Sequence, residues 1–193
     1  LSAGIIAMTA VFTAVFSATE TVWDRQIGFL KETLVAPVSR FEIMLGKTLG
    51  GATIATSQGI IVFIVCLIAG LRPVSLWLLP LALLFLFLVG FLFTALGMAI
   101  ASNMEDMQGF PIVFNFIIMP LFFLSGALYP LAGLPKALDI IARFNPLSYG
   151  VDGLRGALTG AAHFGMGLDF MILLFLSLVL FLIGSYLFSK VQL

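Results

Sequence analysis

The sequence ETVWDRQIGFLKETLVAPVSRFEIMLGK, residues 20–47, separates two long apolar runs and holds eight of the chain's charged residues. Its apolar and charged positions recur at helical spacing and fall on opposite faces. The charged face carries Asp24, Arg25, Lys31 and Glu32, and the apolar face carries Ile27, Leu30, Leu34 and Val35. We therefore predict an amphipathic helix over residues 22–36, which either lies on the membrane surface or is bound by a partner protein.

The composition of the whole chain is that of a membrane protein. Charged residues make up 9% of the 193 residues, and hydrophobic residues make up 62%. Ordinary globular domains contain roughly 25% charged residues. A soluble fold of this length has too much surface to hide so many apolar side chains. The net charge of zero gives no indication of nucleic-acid binding.

Apolar runs long enough to cross a membrane occur five times, since a transmembrane helix needs about 20 mostly apolar residues. The predicted spans are residues 1–18, 47–70, 76–101, 109–128 and 169–188. We therefore predict an all-α integral membrane protein with five transmembrane helices, forming one transmembrane domain over residues 1–193.

Prolines and a capping motif divide the segments between and within these spans. Pro37 is expected to end the amphipathic helix, because proline disfavours helical geometry in the residue before it. Ser39 and Glu42 have the spacing of a capping box and predict a new helix that runs into the second span. Pro111 and Pro120 are expected to bend the fourth span, either as a static kink or as a gating hinge.

Residues 134–160 predict a hairpin of two short amphipathic helices, broken at Asn145 and Pro146. Each helix reaches about 15 to 20 Å, only part of the roughly 30 Å hydrocarbon core. The pair is therefore expected to be re-entrant or interfacial. Asp152 and Arg155 stand three residues apart and are expected to form an ion pair on one helix face, with direct substrate contact as the alternative.

A few polar side chains fall inside the predicted spans. Thr53, Ser57 and Gln58 lie in the second span and Asn115 in the fourth. They either hydrogen-bond between helices or line a substrate path. The sequence has no nucleophile constellation and no phosphate-binding loop, and His163 is its single histidine. We therefore predict no catalytic residues, no metal site and no cofactor in this chain.

Two groups of motifs resemble those of a known family. The first runs from Glu20 to Gly28, continues through Leu34-Val35-Ala36-Pro37-Val38-Ser39-Arg40 and ends at Gly46-Lys47. The second comprises Phe123-Leu124-Ser125-Gly126, Tyr129-Pro130, Leu134-Pro135, Asn145-Pro146-Leu147-Ser148-Tyr149 and Asp152-Gly153-Leu154-Arg155-Gly156. Together they resemble the membrane subunit of ABC type-2 exporters, most closely the multidrug and antibiotic-resistance permeases.

The resemblance implies six spans with both termini in the cytoplasm. This chain shows five, so the family's first span and its N-terminal interface helix are expected to lie outside it. The resemblance also implies that residues 20–47 are cytoplasmic and the hairpin is external. The first cytoplasmic loop would carry a coupling helix that contacts a separate ABC ATP-binding subunit, which would bind ATP and Mg²⁺. Two permeases, identical or paralogous, would assemble with two ATPase subunits in the bilayer.

The resemblance assigns candidate roles to residues of both motif groups. The candidate ATPase-coupling residues are Glu20, Asp24, Arg25, Gly28, Leu30, Glu32, Leu34, Val35 and Pro37. The candidate external hairpin residues are Asn145, Pro146, Tyr149, Asp152 and Arg155.

The expected function is that of a non-catalytic permease subunit in the cytoplasmic, inner membrane of a prokaryote. It would export a hydrophobic or amphipathic substrate such as a drug, an antibiotic or a lipid-like molecule. Two alternatives remain open at this point. One is export of a polysaccharide or lipo-oligosaccharide, and the other is a membrane scaffold or secondary transporter without an ATPase partner.

Overall fold

A computed structural model describes residues 2–28, 37–104, 107–129 and 135–190, and every regular element in those ranges is helical. The helices are α1 (Ser2–Ser17), α2 (Thr19–Gln26), α3 (Arg40–Ile68), α4 (Leu79–Ala101), α5 (Phe110–Phe123), α6 (Lys136–Phe144), α7 (Pro146–Thr159) and α8 (Met166–Ser189). Four stretches of the described chain are long and apolar enough to cross a membrane: Ser2–Gln26, Arg40–Ile68, Leu76–Ala101 and Met166–Ser189. The predicted all-α membrane class is confirmed.

The fourth predicted span, residues 109–128, is shorter in the structure than expected. Helix α5 reaches only about 21 Å at 1.5 Å per residue, and the chain then turns at Gly126, whose φ is +73°. A π-helical turn over Phe114–Ile118 directly precedes Pro120. Pro120 has no backbone N–H to donate to the carbonyl four residues earlier, and its ring clashes with that carbonyl. Both effects favour a widened turn at this point of the helix.

The amphipathic helix predicted over residues 22–36 also differs from the structure. Helix α2 begins at Thr19 and ends at Gln26, and Gly28 has a φ of +81° that stops a helix. A single helix over 22–36 is therefore wrong in its first half, and residues 29–36 lie outside the described ranges. The predicted capping box is confirmed: the Ser39 hydroxyl accepts from the Glu42 N–H, and the Glu42 carboxylate accepts from the Ser39 N–H.

Helix α4 is the centre of the packing and contacts α1, α2, α3, α7 and α8. Its glycines stand where a neighbouring helix comes closest. A Cβ on Gly90 would lie 3.1 Å from the carbonyl oxygen of Ala52, and one on Gly97 would lie 2.8 Å from the Cβ of Ala18. Small residues let helix backbones approach in a bilayer, where helices gain little by leaving lipid.

The helix ends define two sides of the molecule. The loop side comprises residues 17–28, 37–47, 101–104, 107–109 and the end of α8. The hairpin side comprises the turn 69–75, residues 124–129, α6, α7 and the start of α8. The two hairpin helices and their break at Asn145 are as predicted, whereas the depth of the hairpin in a bilayer stays a prediction.

Replacing Gly97 by alanine tests the close approach of α4 to the α1–α2 junction. The new Cβ meets the Ala18 Cβ at 2.8 Å and the Val15 carbonyl oxygen at 3.3 Å, and neither atom is the end of a flexible side chain. We expect a loss of about 1–3 kcal/mol, measured as a lower melting temperature of the purified protein in detergent.

Gly50→Ala is the matched control, because no atom lies within 4 Å of a Cβ at Gly50 in α3. Alanine there is expected to leave the melting temperature unchanged or to raise stability by about 0.5–1 kcal/mol. Equal melting temperatures for the two variants would contradict the proposed role of Gly97.

Candidate functional site

Helix α2 is fixed to the ends of two membrane-spanning helices on the loop side. The Lys47 ammonium of α3 lies 2.6 Å from the Asp24 carboxylate, and both side chains are about one quarter or less exposed. The Arg25 guanidinium donates to the Met104 carbonyl, just beyond α4, at 3.1 Å. The side chain of Val22 is fully buried beneath α2. These contacts join α2 to α3 and to the residues that follow α4.

A further contact closes the loop side between α3 and α8. The Arg40 guanidinium, in the first turn of α3, donates to the Ser189 carbonyl at the end of α8 at a distance of 2.8 Å. Pro37 is exposed in the bend directly before the Ser39 cap. The capped start of α3 is therefore joined to the last turn of α8 as well as to α2.

The outer surface of α2 presents an apolar strip that sequence reasoning missed in part. Trp23 is 53% exposed and Ile27 is 69% exposed, and they stand four residues apart on one face. Glu20 is also exposed, whereas Leu30, Glu32, Leu34 and Val35 lie outside the described residues. The i, i+4 spacing of Trp23 to Ile27 was the signal that would have added the tryptophan to the predicted surface.

A groove of about 430 Å³ begins beside α2 and runs along α1. Its lining mixes rings, hydroxyls and one carboxylate: Phe12, Thr13, Phe16, Ser17, Thr19, Glu20 and Ile54. A second cavity of about 100 Å³ shares Ser17, Glu20 and Ile54 and reaches Lys47. The loop side thus has a polar opening that continues into an amphipathic groove.

The polar residues predicted for a substrate path are not among the residues that line either loop-side cavity. Thr53, Ser57 and Gln58 are exposed on α3, where the two hydroxyls donate to carbonyls of their own helix. Asn115 is exposed on α5 and donates to the Pro111 carbonyl at 2.8 Å.

Helix α1 packs against both α3 and α5. Its Phe12 and Phe16 rings contact those of Phe114 and Phe110 on α5, at centroid distances of 5.1 and 6.0 Å. The structure therefore does not bring Asn115 together with the polar patch of α3.

On the hairpin side, the break between α6 and α7 is tied to the end of α5. The Asn145 side chain caps α7 by accepting from the Leu147 N–H, and its amide donates to the Leu121 carbonyl. Pro146 occupies the first turn of α7, where its missing N–H leaves no bond unmade.

Tyr149 of α7 joins the two hairpin helices across the break. Its hydroxyl donates to the Arg143 carbonyl at 2.6 Å. Burial raises the pKa of the Tyr149 phenol above its ordinary value, so the hydroxyl stays a donor at neutral pH.

The expected ion pair between Asp152 and Arg155 is wrong, because each side chain binds backbone outside α7. Both Asp152 oxygens accept from the His163 N–H, at 2.9 and 2.7 Å, and one also accepts from the Phe164 N–H at 2.8 Å. The Arg155 guanidinium donates to the Gly126 carbonyl at 2.7 Å. These two residues therefore fix α7 to the start of α8 and to the end of α5.

Sequence reasoning also missed Asp169, in the first turn of α8. Its side chain is fully buried and lies next to the carboxyl of Asp152. Neither of its oxygens accepts a hydrogen bond from the described residues. Of the two carboxyls, Asp152 is therefore the one that holds backbone N–H groups, and Asp169 has no donor among the described residues. No sequence signal marks the contact, because it depends on α7 and α8 packing side by side.

Comparisons with known proteins agree on one family. Residues 2–159 match the family model described as ABC-2 type transporter. The transport permease ycf38 of Porphyra purpurea is 32% identical over 156 residues, which cover 80% of this chain and 54% of that protein.

Two further relatives are bacterial. Nodulation protein J of Rhizobium leguminosarum bv. viciae is 29% identical over 193 residues, covering 98% of this chain and 73% of that protein. The inner membrane transport permease YadH of Escherichia coli K12 is 28% identical over 158 residues, covering 82% and 59%. The chain thus spans about half to three quarters of the length of these relatives.

Asn substitutions at the two carboxyls are expected to have opposite effects. Asp169→Asn gives α8 an amide that can donate to the Asp152 carboxylate, so the melting temperature should stay the same or rise. Asp152→Asn replaces one acceptor of the His163 and Phe164 N–H groups by a donor, and should cost about 1–3 kcal/mol. The measurement is the melting temperature of each purified variant. Equal decreases in melting temperature would contradict the conclusion that Asp152, and not Asp169, holds the backbone N–H groups.

Proposed function

The chain belongs to the ABC-2 type transporter family, and we propose that it is the membrane subunit of an exporter driven by a separate ABC ATP-binding subunit. As a multi-pass membrane subunit it carries no hydrolytic site in this proposal, and the partner binds ATP and Mg²⁺. The loop side faces the cytoplasm and the hairpin side faces outward, in the cytoplasmic membrane of a prokaryote. Bacterial relatives, one of them named as an inner membrane permease, support that location.

The observation that carries this proposal is the construction of α2. It exposes Trp23 and Ile27 while Asp24 and Arg25 attach it to α3 and α4. Exposed large apolar side chains beside charged ones are typical of protein interfaces, where the aromatic anchors supply most of the binding energy. Glu20 is exposed on the same helix, and Pro37 is exposed in the bend before the Ser39 cap.

The same construction explains how a partner's movement reaches the membrane. Because Lys47 lies within α3 and Met104 directly follows α4, force on α2 acts on two spans at once. The Ser39 cap and the Arg40 contact add the end of α8. We expect the spans to move as connected bodies about the groove beside α1.

The groove indicates the substrate class. Its phenylalanine rings suit the apolar part of a substrate, and Thr13, Ser17 and Glu20 suit a polar part near the cytoplasmic opening. We therefore propose a hydrophobic or amphipathic substrate. Beside the groove, α3 exposes Thr53, Ser57 and Gln58 next to its lining residue Ile54, and polar side chains are unfavourable against lipid. A second permease copy facing this side would complete the path.

Alanine substitutions of Trp23 and Ile27 test the docking surface. Each should weaken binding of the ATP-binding subunit about tenfold or more, because buried anchors dominate interface energies. The measurement is the dissociation constant of the full transporter complex in detergent or nanodiscs.

Gln26→Ala is the control, since Gln26 is an exposed polar residue of the same helix. It should change the dissociation constant less than threefold, as rim positions contribute little. Unchanged affinity in the Trp23 and Ile27 variants would remove the coupling role proposed for α2.

Ile54→Trp tests the groove independently of docking. Ile54 is 50% exposed and lines both loop-side cavities, so the larger ring should obstruct them. Substrate export by the reconstituted complex should fall about tenfold while assembly with the ATP-binding subunit is retained.

Leu49→Trp places the same ring on α3 at a site that is 39% exposed and outside both cavities. Export should remain near the level of the unmodified protein. If both tryptophan variants export normally, the groove beside α1 is not the substrate path.

A further inference from the structure

A cavity of about 210 Å³ lies on the hairpin side, apart from the loop-side groove. Four helices contribute to it, and no polar atom of the described residues is exposed inside it. Its lining includes Ile6 of α1, Phe63 of α3, Leu79 and Ala82 of α4, and Leu154 and Leu158 of α7. The hairpin helix α7 therefore forms one wall and two spans form the opposite wall.

The cavity lies within the leaflet on the hairpin side. Its α3 lining lies within about two turns of the helix end at Ile68, and its α4 lining within about two turns of the start at Leu79. Two turns measure about 11 Å, less than half of the roughly 30 Å hydrocarbon core. The mouth is bordered by Ile64 and Leu83, which are 49% and 43% exposed. The cavity is therefore continuous with the lipid-facing surface.

The chemistry of the lining restricts what fills this space. Water needs two to four polar partners, and the cavity offers none among the described residues. An unfilled cavity would leave its walls without dispersion contacts on one side. An apolar cavity of about 150 Å³ already admits a molecule as large as benzene, so 210 Å³ holds several methylene groups of a hydrocarbon chain.

The turn over residues 69–75, which is bonded to the cavity-lining residue Leu158, carries a cation suited to an anionic headgroup. Arg72 is exposed in the turn between α3 and α4 and forms no ion pair within the described part of the chain. The Val74 N–H of the same turn donates to the carbonyl of Leu158, which lines the cavity, at 3.0 Å. Trp77 follows and is 93% exposed, as is typical of tryptophan at the membrane–water interface.

We propose that this cavity binds one acyl chain of a phospholipid from the hairpin-side leaflet, with the phosphate at Arg72. The chain fills the space between α7 and the pair α3 and α4. The lipid thereby supports α7 against the spans and makes the position of the hairpin dependent on the surrounding leaflet. This lipid site does not depend on which substrate the transporter carries.

Photo-crosslinking tests the site. The full-length protein is reconstituted in nanodiscs with phosphatidylglycerol that carries a diazirine on one acyl chain and is irradiated, and the labelled residues are assigned by tandem mass spectrometry. We expect adducts on Phe63, Ala82 and Leu154. Labelling of these residues should exceed that of Met171, which is 73% exposed near the start of α8.

Two variants close the cavity, and one leaves it open. Ala82→Phe fills it from within, and Leu83→Trp covers it from the exposed rim, where folding is less affected. Either variant should lower labelling of Leu154 about tenfold. A tenfold loss of lipid affinity corresponds to the burial energy of about two methylene groups of the acyl chain. Ala69→Phe adds similar bulk at an exposed site and should leave the labelling unchanged.

A headgroup variant tests the second half of the site. Arg72→Gln should lower Leu154 labelling by phosphatidylglycerol several-fold, since one charge–phosphate contact is lost. The proposal is overturned if the cavity residues label no more than Met171 does, or if Leu83→Trp leaves Leu154 labelling unchanged. Both outcomes are read without any transport measurement, so they are independent of the exporter proposal.

Discussion

Close approach of the α4 backbone to its neighbours is the constraint on which the other contacts depend. Within a bilayer, helices are held by packing and hydrogen bonds and gain little from leaving lipid. Gly90 and Gly97 bring α4 against α3 and the α1–α2 junction. Gly184 does the same for α8, since a Cβ added to it would lie 3.2 Å from the Ala95 carbonyl oxygen of α4. Larger side chains would separate the spans, and the helix ends on both sides would no longer meet.

The helix ends are joined by a repeated device. Three arginines donate to backbone carbonyls at or just beyond the carboxyl ends of apolar helices. Arg40 binds Ser189, the last residue of α8, whereas Arg25 binds Met104 and Arg155 binds Gly126, each three residues past a helix end. The last carbonyls of a helix lack intrahelical partners and carry the negative end of the helix dipole. A guanidinium satisfies both needs at once. These connections of α2, α3 and α7 to neighbouring elements are thus made by a charged side chain and a backbone carbonyl.

Local sequence signals predicted the elements well where the cause was itself local. The Ser39–Glu42 capping box, the Asn145–Pro146 break and the apolar runs all correspond to features of the structure. Where a neighbour decided the outcome, the same reasoning failed. The i, i+3 spacing of Asp152 and Arg155 predicted an ion pair, but each finds a stronger backbone partner on another element. Likewise, hydropathy extended the fourth span beyond Phe123, because it does not register the turn at Gly126.

The candidate site shows the same division. Sequence alone determined that residues 20–47 are amphipathic and lie between spans, and that their motifs resemble one transporter family. It could do so because periodicity and motif spacing are properties of the linear sequence. Only the tertiary structure decided that Asp24 meets Lys47, that Arg25 reaches Met104 across 79 positions, and that Asp169 lies against Asp152. Such pairs depend on how closely whole helices pack and in what rotation, and those quantities arise from many small contacts at once.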